Sequence, residues 1–73
     1  MKKNILSQND EAYKRWKANG GDNQFVAIID GDDVASGKDF NKVAIDAGDL
    51  VLQRGKEANL TIYDSSTDAK IPH

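Results

Sequence analysis

The sequence predicts a small α+β domain, ordered α-β-β-α-β with room for a short last strand, and three observations carry that prediction. Phe25-Val26-Ala27-Ile28-Ile29 is apolar without interruption, which reads as a strand covered on both faces or lying centrally. Asp30-Gly31 follows at once, and both residue types tolerate positive φ, so the chain turns back as a hairpin. Phe40, Val43, Ala44, Ala47, Leu50 and Val51 then recur at helical spacing and form one continuous apolar stripe. With the apolar strand central, the expected sheet is mostly antiparallel, in the order 2-1-3, and the second helix lies across one face.

The elements follow in turn. Ser7 can cap a first helix, with Asp10 and Glu11 near its positive end and the pairs Asp10–Lys14 and Glu11–Arg15 at the favoured spacing. Ala12, Tyr13 and Trp16 give that helix a narrow apolar stripe, and Asn19-Gly20-Gly21 ends it. Gln24 to Ile29 is the first strand and Val34 to Ser36 the second, broken by Gly37. Asp39 caps the second helix, Lys42 and Asp46 pair on its wet side, and Gly55 stops it, with Arg54 and Lys56 at the negative end of its dipole. Leu60 to Tyr63 reads as a third strand, Leu60 and Ile62 facing one way. Asp64 to Asp68 is a polar turn, and Ala69-Lys70-Ile71 can add a short edge strand before Pro72. Residues 1–6 read as a flexible lead and 65–73 as turn, edge strand and tail, so the 73 residues make a single small domain.

Composition narrows the chemistry. Cysteine is absent and the one histidine is His73, so neither a disulfide framework nor a structural zinc site can be assembled. No apolar run approaches the ~20 residues that span a bilayer, and "MKKNILSQND" lacks the apolar stretch of a signal peptide. A cytoplasmic chain is therefore expected, in which Asn59-Leu60-Thr61 matches a glycosylation acceptor by chance. The net charge of −2 is unevenly spread: residues 1–19 hold five bases against two acids, +3, and the rest five against ten, −5. Such a split can orient a protein on a partner, or simply attract a helix to the body it packs on.

"DGDDVASGKDF", residues 30–40, looks like a phosphate loop and is not one. The motif needs four residues between its glycines and a hydroxyl after the lysine. Gly31 and Gly37 enclose five, and Lys38 is followed by Asp39, a carboxylate where phosphate would be repelled. A calcium loop starting at Asp30 fails at Val34, where an acidic or amide ligand is required, and at Asn41, where a bidentate glutamate is required. Asp30, Asp32 and Asp33 could at most attract a hard cation loosely at a hairpin tip. Ser7, Ser36, Ser65 and Ser66 have no internal histidine or evident lysine to act as base, and a core this small has little room for a divided carboxylate cleft. The expectation is a non-enzyme without cofactor.

Two surfaces remain. Ile45 and Leu52 lie off the main stripe of the second helix, about a third of a turn round, with Gly48 between them. Glycine inside a helix costs ~1 kcal/mol against alanine, so it usually answers a packing need. Either Tyr13 and Trp16 of the first helix cover this groove, or Ile45, Gly48 and Leu52, with Tyr13 and Trp16 beside them, belong to a protein interface. The partner would be another protein or a second copy of the chain. "YKRWK", residues 13–17, interleaves bases with aromatics as nucleic-acid contacts can. Lys2, Lys3, Lys14, Arg15 and Lys17 would carry such a contact. Trp16 on the inner stripe and the acidic remainder of the chain argue instead for an amphipathic helix.

Trp16, "FVAIIDGDDVASGKDF" (residues 25–40) and the amphipathic helix behind it resemble an uncharacterised family of short prokaryotic proteins, some from phages. Their pattern is a tryptophan-containing lead, a Val-Ala-Ile-x-Asp-Gly hairpin, Ala-Ser-Gly, a helix and a strand. "ANLTIYD", residues 58–64, looks like the closing strand of similar small domains, while "SSTDAKIPH" departs from it. The resemblance implies a fold and no site, since the matching residues are turn and core residues. The functional expectation is a protein-binding module: a small regulator, adaptor or inhibitor, a phage or mobile-element inhibitor of a host system being one version. The alternative is a nucleic-acid accessory protein.

Overall fold

Asp30 and Gly31 both take positive φ, 51° and 86°, so the chain reverses within two residues and sets the register of everything around it. In the structure, a computed structural model that describes residues 5–55 and 58–71 with side chains from Gln8 onward, this turn joins β1 (Phe25–Ile29) to β2 (Asp32–Gly37). Ile29 faces Asp32 and Ile28 faces Asp33, but Ala27 faces Ala35, leaving Val34 as the extra residue of a β-bulge. The second strand is thus longer than Val34 to Ser36, and Asp32 and Asp33 belong to it rather than to the turn.

β3 (Leu60–Asp64) pairs antiparallel with the other side of β1, Ala27 opposite Ile62. Ser65 prolongs the pairing: its N–H donates to the Gln24 carbonyl at 2.8 Å, and its buried hydroxyl accepts from the Gln24 N–H at 2.8 Å. β4 (Ala69–Ile71) does form, pairing with β3 through Ile62–Ile71, so the sheet is four-stranded and antiparallel in the order β2-β1-β3-β4. Its two free edges are blunted, one by the acids and bulge of β2 and the other by the shortness of β4.

α1 (Ile5–Ala18) and α2 (Phe40–Arg54) cover opposite faces of this sheet. Val26 and Ile28 of β1 point to α1, where they meet Ala12 and Tyr13; Ala27, between them, points to α2 and meets Val43 and Ala47. That is why an unbroken apolar run suits β1: each face of the strand has its own helix. Leu60 and Ile62 share the α2 side, as their spacing requires. α2 begins as its sequence predicts, Asp39 Oδ1 accepting from the Asn41 N–H at 3.0 Å, and ends with the Gly55 N–H donating to the Val51 carbonyl at 2.9 Å.

α1 departs from expectation at its start. It begins at Ile5, two residues before Ser7, so Asp10 and Glu11 sit well inside the helix and not at its positive end. Ser costs a helix interior only a few tenths of a kcal/mol, too little to force a boundary there. The cap expected of Ser7 rests on a side chain outside the described ones, and the flexible lead lies outside the described residues as far as residue 4. The C-terminus closes as predicted, Gly20 (φ 107°) and Gly21 both donating to the Lys17 carbonyl.

Candidate functional site

The outward face of α2 is the first candidate. At ~100° per residue, Ile45 and Leu52 stand nearly opposite the inward Val43 and Ala47, further round than a third of a turn. They are 64% and 82% exposed, the most exposed large hydrophobic residues among those described. Nothing lies within 4 Å of the place where a Gly48 side chain would begin. Tyr13 and Trp16 do not cover this groove, nor do they extend it: α1 lies on the far side of the sheet. The five residues grouped as one interface therefore fall on two surfaces. Asp46 and Asp49, both exposed, flank the Ile45–Leu52 stripe, and no Lys42–Asp46 ion pair forms.

The second candidate lies where α1 meets β3 and β4, and sequence spacing gave no hint of it. Asp10, Tyr13 and Lys17 lie along one side of α1, while Tyr63, Asp68 and Lys70 come from β3, the turn and β4. The turn that presents Asp68 is built locally: Asp64 Oδ1 accepts from the N–H and the hydroxyl of Ser66, at 3.0 and 2.6 Å, and Asp68 takes φ 59°. The six side chains interleave. Tyr13 and Lys17 of the helix donate to Asp68 Oδ1 of the hairpin, both at 2.5 Å. Tyr63 and Lys70 of the hairpin grip Asp10 of the helix, the phenol donating at 2.8 Å and the ammonium reaching both oxygens at 3.0 and 3.1 Å.

These partners displace the pairs expected from helical spacing: Asp10 engages Lys70 rather than Lys14, and Glu11–Arg15 does not form. A surface i,i+4 pair is worth only ~0.3–0.5 kcal/mol, and a carboxylate that accepts from both a phenol and an ammonium does better. The electrostatics agree. At Asp10 burial pushes the carboxyl up, but the hydrogen bonds from Lys70 and Tyr63 outweigh it and hold it below the usual range. At Asp68 the hydrogen bonds from Lys17 and Tyr13 lower it. Both phenols are raised, chiefly by burial and then by the carboxylate each one meets. An open groove of about 660 Å³ runs over these residues, with Lys14, Ala18 and Asp22 on its rim. Its three lysines and three aspartates balance, and two of each are already paired, which leaves it no net charge to select an anion.

Under α1 sits Asn9, fully buried and missed by the sequence reading. Its Oδ1 accepts from the Gly31 N–H at 2.7 Å, and its Nδ2 donates to Thr61 Oγ1 at 3.0 Å and to the Asn59 carbonyl at 3.2 Å. It falls on the helical stripe of Ala12, Tyr13 and Trp16, and a polar residue in that stripe was the available signal.

Of the basic residues of the first helix, Lys14 and Lys17 line the groove beside three aspartates. Lys17 is held by Asp68, Lys14 and Arg15 are exposed, and Lys2 and Lys3 lie outside the described residues. The three acids of the hairpin do not converge. Asp30 Oδ1 accepts from the Asn59 N–H at 3.4 Å, Asp32 lies 3.9 Å from Arg54, and Asp33 is in the strand. Among the described residues no three histidine, aspartate or glutamate side chains are grouped as a metal ion would need. No helix among them is long and apolar enough to cross a membrane. Set against known protein families, curated protein sequences and solved structures, the chain matches none.

Proposed function

We propose that this protein is a non-enzymatic protein-binding module that occludes a partner through the outward face of α2. The observation that carries the reading is the exposure of Ile45 and Leu52, one helical stripe apart from the core, on either side of an open Gly48. Leaving two large aliphatic side chains in water on one line forgoes ~1.5–3 kcal/mol of burial for each, which a partner recovers by covering them. The glycine lets that partner approach the helix backbone. Asp46 and Asp49 beside the stripe suit a partner whose apolar groove is edged by basic groups.

The test is affinity capture from the native host, read by mass spectrometry, with wild type, Leu52→Asp and Lys14→Glu as baits. A partner held by wild type and Lys14→Glu but lost by a folded Leu52→Asp is the expected result. Capture that survives Leu52→Asp sinks the reading. Light scattering on the pure protein separates a foreign partner from a second copy, because a dimer that Leu52→Asp dissolves would need no foreign partner.

A further inference from the structure

Each helix covers an apolar cluster of the sheet, and α1 adds to its own a set of side-chain hydrogen bonds that α2 lacks among the described residues. α2 buries Phe40, Val43 and Ala47 against Ala27, Leu60 and Ile62, an apolar layer for which water offers no substitute. α1 brings Ala12, Tyr13 and the half-buried Trp16 against Val26, Ile28 and Tyr63. The rest of its hold is polar: Tyr13 and Lys17 on Asp68, Asp10 on Tyr63 and Lys70, and Asn9 on Gly31 and Thr61. Water can replace every one of those bonds. A hydrogen bond exchanged for one to water, or an ion pair left exposed, contributes far less to stability than its strength in isolation.

We infer that α1 is a strap: it releases from the sheet as a unit, parting Tyr13 and Lys17 from Asp68 and Asp10 from Tyr63 and Lys70, while the sheet and α2 stay folded. The polar anchors Asn9, Asp10, Tyr13 and Lys17 all lie on one rigid helix, so they part together rather than singly. The joint is at hand in the link to β1, where the exposed Gly20 has φ 107° and no atom within 4 Å of its would-be side chain. What remains is a four-stranded sheet with a helix on one face, which meets the minimum that independent stability requires of a sheet. Release uncovers Val26, Ile28 and Tyr63 on the other face. The inference does not depend on what α2 binds.

Native-state hydrogen exchange at neutral pH tests it. In the wild type, the amides of Ala12, Tyr13 and Trp16 are expected to exchange at least about tenfold faster than those of Val26 and Ile28, since local opening costs less than global unfolding. The double variant Asp10→Asn/Asp68→Asn should speed the α1 amides by about tenfold again and preserve the gap to β1, because the lost contacts are absent from both the strap-open and the unfolded states. Equal protection of α1 and β1 in the wild type, or α1 amides that the variant does not speed, overturns the strap. A second reading needs no variant. Trp16 is the single tryptophan, so its emission follows α1 in urea and should change before the far-ultraviolet signal of the strands. Superimposed curves would mean that the fold opens as one body.

Discussion

The rings of Tyr13 and Tyr63 stack with centroids 4.3 Å apart and planes 6° from parallel, and each phenol donates to the aspartate contributed by the other's element. Helix and hairpin thus exchange carboxylates across a shared aromatic floor. The arrangement lets a narrow helix with few aliphatic side chains hold a definite position: the stack fixes the distance and the two carboxylates fix the register. Stacked aromatic pairs contribute ~0.5–1.5 kcal/mol beyond the area they bury, with added geometric definition from charged acceptors.

Tyr63→Phe keeps the stack and removes one donor to Asp10. Because Asp10 retains Lys70 and is partly solvated, the loss should be modest, about 1 kcal/mol in urea denaturation. A double-mutant cycle with Asp10→Asn isolates the bond: the double variant should be less destabilised than the sum of the two singles. Strict additivity would mean that the phenol and carboxylate do not act on each other.

The same groups set the pH profile. Asp10 and Asp68 have lowered pKa values in the fold, so their contribution is present above the unfolded carboxylate value and is lost as pH falls through the folded one, below about pH 4. Tyr13 and Tyr63 have raised values, so theirs is complete below the unfolded phenol value and is lost as pH rises through the folded one, above about pH 10. Thermal denaturation across pH should give a plateau between these limbs. Tyr13→Phe/Tyr63→Phe should flatten the alkaline limb and spare most of the acid one. An alkaline limb that survives both substitutions would remove the tyrosines from the account.

What the sequence made legible follows the range of the interactions. The Asp30-Gly31 turn, the Asp39 cap and the α2 stripe from Phe40 to Ala47 are each decided within a few residues, and each appears where the sequence puts it. The clasps were not legible because Asp10 and Lys70 are 60 residues apart, and Tyr13 and Asp68 are 55 apart. Helical spacing offered Lys14 to Asp10, a neighbour that tertiary structure overrides. The side of the sheet that α1 takes was equally hidden. The apolar run of β1 asked for a cover on each face, while nothing local to Tyr13 or Trp16 says which face they reach. Ile45 and Leu52 were visible as off-stripe residues, yet their exposure depends on where α1 is.

Asn9 is the most consequential of the residues that were missed. Asn9→Leu is nearly isosteric, but it leaves the Gly31 N–H and the Thr61 hydroxyl without this partner. Leaving buried polar groups unsatisfied costs ~1–3 kcal/mol each, so a loss of about 3 kcal/mol is expected, against a total of ~4–11 kcal/mol for a domain of this length. Urea denaturation measures it. A loss below about 1 kcal/mol would show that water reaches these groups and that Asn9 is not a keystone.

Gly21 is buried beneath Trp16, and a methyl group there would stand 2.6 Å from two carbons of the indole ring. No indole contact is that short, so Gly21→Ala must push the ring outward. The emission of Trp16 should shift to longer wavelength, with a stability loss of about 1–3 kcal/mol from overpacking. An unchanged spectrum would mean that the ring does not rest on this turn.

Gly48 has the opposite environment: no neighbour within 4 Å and no positive φ, in the middle of α2. The only intrinsic effect of a methyl group there is to restrict the unfolded chain and favour the helix. Gly48→Ala should therefore stabilise the protein by about 0.5–1 kcal/mol, a rise of roughly 3–6 °C in Tm for a domain of this size. A protein that leaves such a gain unused at a half-buried position with open space above it has a reason to keep the backbone bare. If that reason is a partner lying close along Ile45 and Leu52, the added methyl must stand in its way, and capture of the partner should weaken while Tm rises. A fall in Tm would contradict the open surface over Gly48. A rise in Tm with capture undiminished would leave Ile45 and Leu52 as contacts and exclude close approach at the glycine between them.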